Sequence, residues 1–548
     1  MERDSERSRV FTRRVVLLGG AKLGLVSLLV GRLYYLQVIE ADEYEMLAEE
    51  NRINYVLLPP RRGRVLDRRG QELAVNRQNY RIGLVPEQTA SVEATLDALT
   101  RHLPGVEAQA KRVLREAARQ RRYVPIMVAE NLTWEEFSRI NVMSPELPGV
   151  FTDAGETRWY PHGTLTSHTV GYVAAVAENE LSGDPLLELP GFRIGKSGVE
   201  KLQDPALRGK AGNSKVEVNA FGRVIRELAR KEGTPGQDIQ TSLDLDLQRF
   251  ATERFGEESG AAVTMDVQTG EILTLVSTPS FDPNLFNTGI PAREWLALNR
   301  HPRKPLVNKA VAGIYPPGST FKMLVALVGL ESGMVGPEFR VHCSGKVSLG
   351  DHDFHCWKKG GHGSLNMVDS IKCSCDCYFY EVARKVGVDR IAEMAHRFGL
   401  GVSLGLDLPG EKVGIVPTRA WKKARFGQEW AQGETLIVGI GQGYVTVTPL
   451  QLAVMTARIA TGMAVKPRLL RASPAEVLAG APKLPVSAAN LDIIRRGMDA
   501  VVNAPGGTAG RSKITEPGMA MAGKTGTSQV RRISRAERQT RIRKYSEM

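Results

Sequence analysis

Tyr315-Pro316-Pro317-Gly318-Ser319-Thr320-Phe321-Lys322-Met323-Leu324 decides how this chain is read, because a Pro/Gly turn delivers Ser319 to the start of an apolar helical run. At a helix N-terminus free backbone N–H groups point outward, which suits an oxyanion forming on a serine-bound carbonyl. Lys322, three residues on, falls on the same helix face as the serine. A lysine serves as base only if burial or nearby cations lower its pKa from about 10.4, and Phe321, Met323 and Leu324 supply apolar surroundings. Alone, the pattern equally describes an N-cap serine and a surface lysine. Order along the chain separates the two readings. Ser374-Cys375-Asp376 and then Lys524-Thr525-Gly526-Thr527 follow, whereas the look-alikes Ser182-Gly183-Asp184, Ser242-Leu243-Asp244 and Lys196-Ser197-Gly198 all precede the sole Ser-x-x-Lys. The three ordered motifs describe a serine acyl-transfer site. Ser374 is placed to relay a proton and Asp376 to position Lys322, while Gly526 leaves room for a substrate backbone along an edge.

At 548 residues the chain exceeds one ordinary core, so two or three domains are expected. The net charge of +13 has no Cys/His finger or aromatic-rich basic module beside it, so no nucleic-acid partner is expected, and membrane proximity accounts for the charge. Val15 to Gln37 has about the roughly 20 residues a spanning helix needs, with Lys22 and Arg32 as its flaws. Arg3, Arg7, Arg9, Arg13 and Arg14 precede it, which keeps the N-terminus cytoplasmic and exports the remainder. A cleaved signal peptide is the alternative, but the stretch is long for one and lacks a small-x-small site. The basic tail from Arg531 to Lys544 reads as a solvated loop.

The expected organisation is a cytoplasmic tail over 1–14, an anchor over 15–37, a strand-rich region over 38–236, and a second domain over 237–548. Tyr80 to Val85 reads as a strand, Val92 to Leu103 and Glu107 to Gln120 as surface helices, and Thr234-Pro235-Gly236 as a linker. Beyond it, Gly260 to Val267 and Glu271 to Ser277 form a hairpin around a Gly-containing turn. Leu247 to Phe255, Thr320 to Leu330, Asn366 to Val386, Val388 to Phe398 and Thr448 to Ile459 read as helices, and Gly518 to Val530 returns to strand. The fold class is α+β, a sheet with a helical lobe inserted between its strands.

All five cysteines lie within the 35 residues from Cys343 to Cys377. Disulfides suit an exported domain, but five is odd, and Cys373, Cys375 and Cys377 alternate within a segment read as helix. Cys343, Cys356, His362 and Cys375 offer three thiolates and an imidazole, a closed tetrahedral set for a structural zinc. The residues alone leave both open.

With these motifs the sequence resembles the penicillin-binding proteins, serine acyltransferases that share the Ser-x-x-Lys, Ser-x-Asn/Asp and Lys-Thr-Gly signature. Arg62-Gly63-Arg64-Val65-Leu66-Asp67-Arg68 with Gly70 is similar to the start of the class B pedestal, or dimerisation, domain. Gly439-Ile-Gly-Gln-Gly-Tyr-Val-Thr-Val-Thr-Pro-Leu-Gln451 is similar to a class B transpeptidase segment. The anchor, Arg32-Leu-Tyr-Tyr-Leu-Gln37, the Ser-Cys-Asp motif and Gly361-His362-Gly363 narrow the likeness to the elongation transpeptidases of that class.

The resemblance implies a pedestal and a β-lactamase-like transpeptidase domain on a single-pass inner-membrane anchor, with the catalytic domain in the periplasm. It implies that Ser319 attacks the penultimate D-alanine carbonyl of a stem pentapeptide with Lys322 as base. The terminal D-alanine leaves and the acyl group passes to the amine of a neighbouring stem. The N–H groups of Ser319 and Thr527 would form the oxyanion hole, with Lys524, Thr525 and Thr527 near the substrate carboxylate, and β-lactams would acylate Ser319 likewise. Catalysis would need no cofactor. Relatives of the elongation type carry a structural zinc, which favours Cys343, Cys356, His362 and Cys375 as ligands, with Asp351 as the alternative to Cys343; Cys373 and Cys377 are left to pack or lie free. Partners by resemblance are a RodA-type glycan polymerase and an MreC-type scaffold. Relatives continue past Lys-Thr-Gly with two strands and a helix, whereas 22 residues follow Gly526 here. The expectation is a chain truncated there, whose third motif lacks support, with a catalytically inactive form as an alternative to the transpeptidase. The other functions that fit are a D,D-carboxypeptidase, a β-lactamase, and a non-catalytic partner of a glycan polymerase.

Overall fold

A computed structural model describes residues 2–35, 53–189, 191–218, 224–287, 289–406 and 408–528. The expected strand at Tyr80 is the end of a longer one, Glu72–Leu84, which forms the axis of the N-terminal region. Val150–Trp159 pairs antiparallel along its length from Val75, and Ile126–Leu132 takes the opposite edge from Tyr80 onward. Alternation places Ile82 and Leu84 on the buried face, where Leu96, Leu99 and Val113 of the helices Val92–His102 and Glu107–Arg119 cover them. A second antiparallel sheet joins Ile53–Leu58, Gly212–Val218 and Val224–Lys231.

Thr234-Pro235-Gly236 is not a free linker. Thr234 and Lys210 exchange backbone hydrogen bonds at 2.9 Å, and the Gly236 N–H donates to Arg61 O at 2.8 Å. A Cβ on Gly236 would lie 1.8 Å from Leu207 O, so the chain passes there only as glycine. The expected boundary near 236 falls inside a shared core, because Ile239–Gln240 runs parallel to Val65–Leu66. Val65, Leu73, Tyr160 and Val199 pack in one cluster with Ile272, Leu275, Leu450 and Val454.

The Arg62–Arg68 stretch, known from sequence only by its likeness, acts as a junction. Arg62 pairs with Glu200 at 2.7 Å and Asp204 at 2.8 Å, and Arg158 pairs with Glu200 at 2.6 Å. Arg64 pairs with Asp238 at 2.8 Å, and buried Asp67 accepts the N–H groups of Arg69 and Gln71. From the other side of the junction Asn284 donates to and accepts from the Tyr160 backbone, both at 3.0 Å.

In the C-terminal half, Asp244 caps the helix Leu245–Phe255, and Gly260–Met265 pairs with Ile272–Thr278 as the expected hairpin. Among the described residues this sheet has those two strands alone. The helical lobe is built around Lys322–Glu331, buried from Lys322 through Leu330 and enclosed by Asp376–Val386, Val388–Arg397 and Ala488–Asn503. A capping box of Thr448 and Gln451 starts the helix Pro449–Thr461, and Gly462 in the left-handed conformation ends it.

Two expectations are corrected, and the membrane segment is matched by a helix that falls short of a span. The helix read over Asn366 to Val386 is two helices, Met367–Lys372 and Asp376–Val386, separated by Cys373-Ser374-Cys375. Ser374 has φ +56°, Cys375 N–H bonds Ser370 O at 3.0 Å and Ser374 N–H bonds Ile371 O at 3.2 Å. This is a Schellman stop with serine in the position usually held by glycine, so no glycine announced it. Gly518 to Ser528 forms no strand, because this glycine- and alanine-rich run has no ladder partner among the described residues; Gln529 and Val530 lie outside them. The expected membrane segment begins within a helix spanning Glu2–Tyr34, and Leu36 and Gln37 lie outside the described residues. Among the described residues no helix is long and apolar enough to cross a membrane, Lys22, Arg32 and four glycines lowering the hydropathy of this one. The basic tail from Arg531 is also outside the described residues.

Glu200 is fully buried between two guanidinium groups, so Glu200→Gln leaves buried Arg158 without a carboxylate and Arg62 with Asp204 alone. The variant is expected to lose about 3–5 kcal/mol of stability in urea unfolding, and a loss below about 1 kcal/mol would show the network to be weakly coupled.

Candidate active site

The three motifs, separated by more than 200 residues, converge on one hydroxyl. Ser319 lies in the single 3-10 turn Gly318–Phe321 that leads into the buried helix, half-buried at its N-terminal end. Lys322 is completely buried one turn later. Its ammonium donates to Asp376 Oδ1 at 2.7 Å, Ser374 O at 2.9 Å and Ser374 Oγ at 3.3 Å. These three bonds use all three ammonium protons, and none goes to Ser319. Lys524 Nζ reaches the same Ser374 Oγ at 2.9 Å from the opposite side and also donates to Thr525 O at 2.8 Å.

The Schellman stop makes this possible. By ending one helix at Lys372 it turns Ser374 into the left-handed region, presents its hydroxyl to both lysines, and starts the next helix at Asp376. A carboxylate in that first turn is favoured by the helix dipole. Asp376 uses its second oxygen to accept the Trp357 backbone N–H at 2.9 Å.

Lys524 is held well below an ordinary lysine, at about 7, first by burial and then by the neighbouring Lys322 charge. The third motif has support other than a sheet. Gly523 N–H donates to Met498 O at 3.1 Å, Asn503 to Met521 O at 3.0 Å, and Thr508 and Thr525 share a hydroxyl bond of 2.8 Å. The Thr527 backbone lies against Gly318, where φ is +55° and a Cβ would meet Thr527 O at 2.3 Å. Gly441, at φ +68°, approaches Gly318 O in the same way. Glycine at both positions lets three backbone segments meet beside Ser319. Gln442 then donates to Thr527 O at 3.2 Å.

Beside the second motif, Cys343, Cys356, His362 and Cys375 place one ligand atom each within 4.8 Å of one another. All five cysteines are free thiols. His362 Nδ1 stands 3.6 Å from both Cys343 Sγ and Cys356 Sγ. A tetrahedron with Zn–N and Zn–S bonds of about 2.05 and 2.3 Å has an N···S edge of about 3.6 Å, so this donor set fits a zinc ion. The Cys356 thiol is pushed far down by the thiols of Cys375 and Cys377 donating to it, so the cluster already favours a thiolate. Cys373, half-buried outside the set, is raised to about 11 by burial.

Sequence reasoning missed Gln442 and Trp357 as parts of this site. The glycines flanking Gln442 were a signal for close backbone approach. Nothing local announced Trp357.

With this geometry in place, the comparisons with known proteins converge. The penicillin-binding protein transpeptidase domain matches residues 260–541, and the penicillin-binding protein dimerisation domain matches 57–241. The chain belongs to the class B penicillin-binding proteins, which join those two domains. Within that class its likeness is to penicillin-binding protein 2, or MrdA. It is 37% identical to the peptidoglycan D,D-transpeptidase MrdA of Escherichia coli K12 over 538 residues, covering 95% of this chain and 85% of the relative. Penicillin-binding protein 2 of Helicobacter pylori, solved in complex with MreC, superposes with a TM-score of 0.78 at 31% identity, covering 87% of this chain and 90% of that one. A chain from a peptidoglycan synthase complex that coordinates polymerization and crosslinking aligns at TM-score 0.68 and 31% identity, over 94% and 88%.

The position of Lys524 makes a pH prediction. In the fold it is neutral above about pH 7, while in the unfolded chain it stays charged to about 10.4. The unfolded state therefore binds the extra proton across that window, and stability attributable to Lys524 rises with pH there. Lys524→Met should flatten the rise in urea stability above pH 7; a slope identical to the parent's would exclude the shift.

Proposed function

We infer that this chain is a peptidoglycan D,D-transpeptidase acting in cell elongation, with Ser319 as nucleophile. The observation that carries the reading is the meeting of Lys322 and Lys524 on Ser374 Oγ, with Lys322 one turn along the chain from Ser319. Ser319 Oγ attacks the penultimate D-alanine carbonyl and its proton passes to Lys322 in the neutral form. Lys322 reaches that form by handing a proton through Ser374 Oγ to Lys524, whose charged form the arriving substrate carboxylate stabilises. The carbonyl oxygen becomes an oxyanion held by the Ser319 and Thr527 N–H groups. On collapse the C–N bond breaks, the proton that Lys322 took from Ser319 passes through Ser374 Oγ to the departing D-alanine amine, and the acyl group stays on Ser319. An acceptor amine from a second stem peptide then displaces Ser319, restoring its proton. Lys524 in its charged form, Thr525 and Thr527 receive the substrate carboxylate, and Asp376 holds Lys322 in line.

The anchor is part of this reading. The helix Glu2–Tyr34 exposes Leu18, Leu23, Leu25, Leu28 and Leu29, which lipid or neighbouring membrane helices would cover, with the catalytic domain outside the cytoplasm. An MreC-type scaffold and a RodA-type polymerase are the partners that the related complexes support.

The test is labelling of the full chain with a fluorescent penicillin in isolated membranes. The parent is expected to carry one covalent adduct and Ser319→Ala none, with the adduct staying in the membrane after an alkaline wash. An adduct on Ser319→Ala rejects the nucleophile, and release by the wash rejects the anchor.

A structural zinc on Cys343, Cys356, His362 and Cys375 completes the proposal. The 3.6 Å N···S separations at His362 Nδ1 and the four ligand atoms within 4.8 Å of one another support it. Zinc there would add no chemistry to acyl transfer; it would tie Cys375 and Cys356 to the strand pair Val341–Cys343 and Gly363–Leu365 and so hold the second motif in place. Purified parent should hold about one zinc per chain and Cys375→Ser well under half of that by metal analysis; equal stoichiometry would remove Cys375 from the ligand set.

A further inference from the structure

Trp357 follows Cys356 directly, is 59% exposed, and has no part in the chemistry set out above. Exposed tryptophans usually keep their N–H in water. This one turns it inward. Nε1 donates to Cys373 O at 3.1 Å and Ser374 O at 3.2 Å, the two carbonyls of the Schellman stop, while the backbone N–H of the same residue donates to Asp376 Oδ2 at 2.9 Å. Ser374 O accepts Lys322 Nζ as well. One residue thus holds both ends of the segment 373–376, and Lys322 holds its middle.

The backbone there needs holding. Ser374 is one of three residues other than glycine with positive φ among the described residues, a conformation whose cost persists only where the surroundings enforce it. Asp376 is anchored by the following helix, and Cys375 is buried. The carbonyls of Cys373 and Ser374 lie beyond the end of the preceding helix, so they depend on partners from elsewhere. Trp357 and Lys322 are those partners.

We propose that Trp357 is a positioning residue for acylation: its indole N–H fixes the left-handed turn at Ser374 and thereby the distance from Ser374 Oγ to the two lysines. The inference rests on the transpeptidase reading above. It assigns Trp357 no contact with substrate. Its role passes through Ser374, so its effect vanishes when the Ser374 hydroxyl is absent.

Trp357→Phe keeps a ring and the backbone N–H and removes only the indole donor. In stopped-flow acylation of the full chain by a chromogenic penicillin, the rate constant is expected to fall about 10-fold, the size of one lost hydrogen bond, with non-covalent affinity unchanged. Zinc content should match the parent and Tm should fall by only a few degrees, as one lost hydrogen bond allows, so a rate loss at unchanged affinity that depends on the Ser374 hydroxyl is the readout a merely structural role would not give. The double variant Trp357→Phe/Ser374→Ala should acylate at the rate of Ser374→Ala alone. Additive losses in the double variant, an unchanged rate in Trp357→Phe, or a fall that affects only affinity would each overturn the proposal. If Trp357→Phe unfolds, benzothienylalanine at 357, which keeps the bicyclic shape and lacks the N–H, decides by the same criteria. A parent chain that takes no penicillin at all fails the transpeptidase reading instead, so the two failures are distinct.

Discussion

The buried ammonium of Lys322 is the constraint on which the rest of the site depends. A charge with no exposure to water must be matched by a carboxylate and by acceptors for each proton, or burial would cost several kcal/mol. Asp376 supplies the carboxylate and Ser374 the remaining acceptors. To do so, the chain must stop a helix at Lys372, turn through a left-handed serine, and start another at Asp376. The second motif is therefore the local structure that makes a buried lysine tolerable, and its catalytic geometry follows from that requirement.

Around this pair the molecule adds restraint in layers. Trp357 ties down the carbonyls of the turn, and the Cys/His cluster includes the residue before Trp357 and the one between Ser374 and Asp376. On the far side, Gly318 and Gly441 allow the backbones of the first motif, the Gly439–Gln451 segment and the third motif to come within contact. Among the described residues the third motif is held by Met498, Asn503, Thr508 and Gln442 and has no neighbouring strand. Pre-organisation of this kind suits electrostatic catalysis, because the donors are in place before charge develops.

Much of this was legible in the sequence where the signal is local. The hairpin at 260–278, the helices at 245, 388 and 449, and Ser319 at a helix start follow from periodicity, caps and turns read over a few residues. The motif order selected the Ser-x-Asp and Lys-Thr-Gly whose Ser374 and Lys524 the structure brings together with Lys322. Errors fell where local text was neutral or misleading. Cys373-Ser374-Cys375 carries no glycine, so a stop enforced by tertiary hydrogen bonds looked like continuing helix. Gly518 to Ser528 looked like strand, yet a strand exists only through a partner. Thr234-Pro235-Gly236 looked like a linker because packing against Leu207 leaves no mark in composition.

The sequence by itself determined the chemical groups available: one nucleophilic serine, two lysines, an aspartate, and three cysteines with a histidine at spacings that allow a metal. It also determined their order, which is enough to identify acyl transfer, because each group's reactivity is intrinsic. Only the tertiary structure decided which protons and charges those groups exchange. Lys322 binds Ser374 and Asp376 and not Ser319; Lys524 shares the Ser374 hydroxyl and loses affinity for its proton; and Trp357 enters the site through contacts across 16 to 19 residues. These outcomes depend on burial and on distances of about 3 Å between remote segments, and spacing along the chain contains neither.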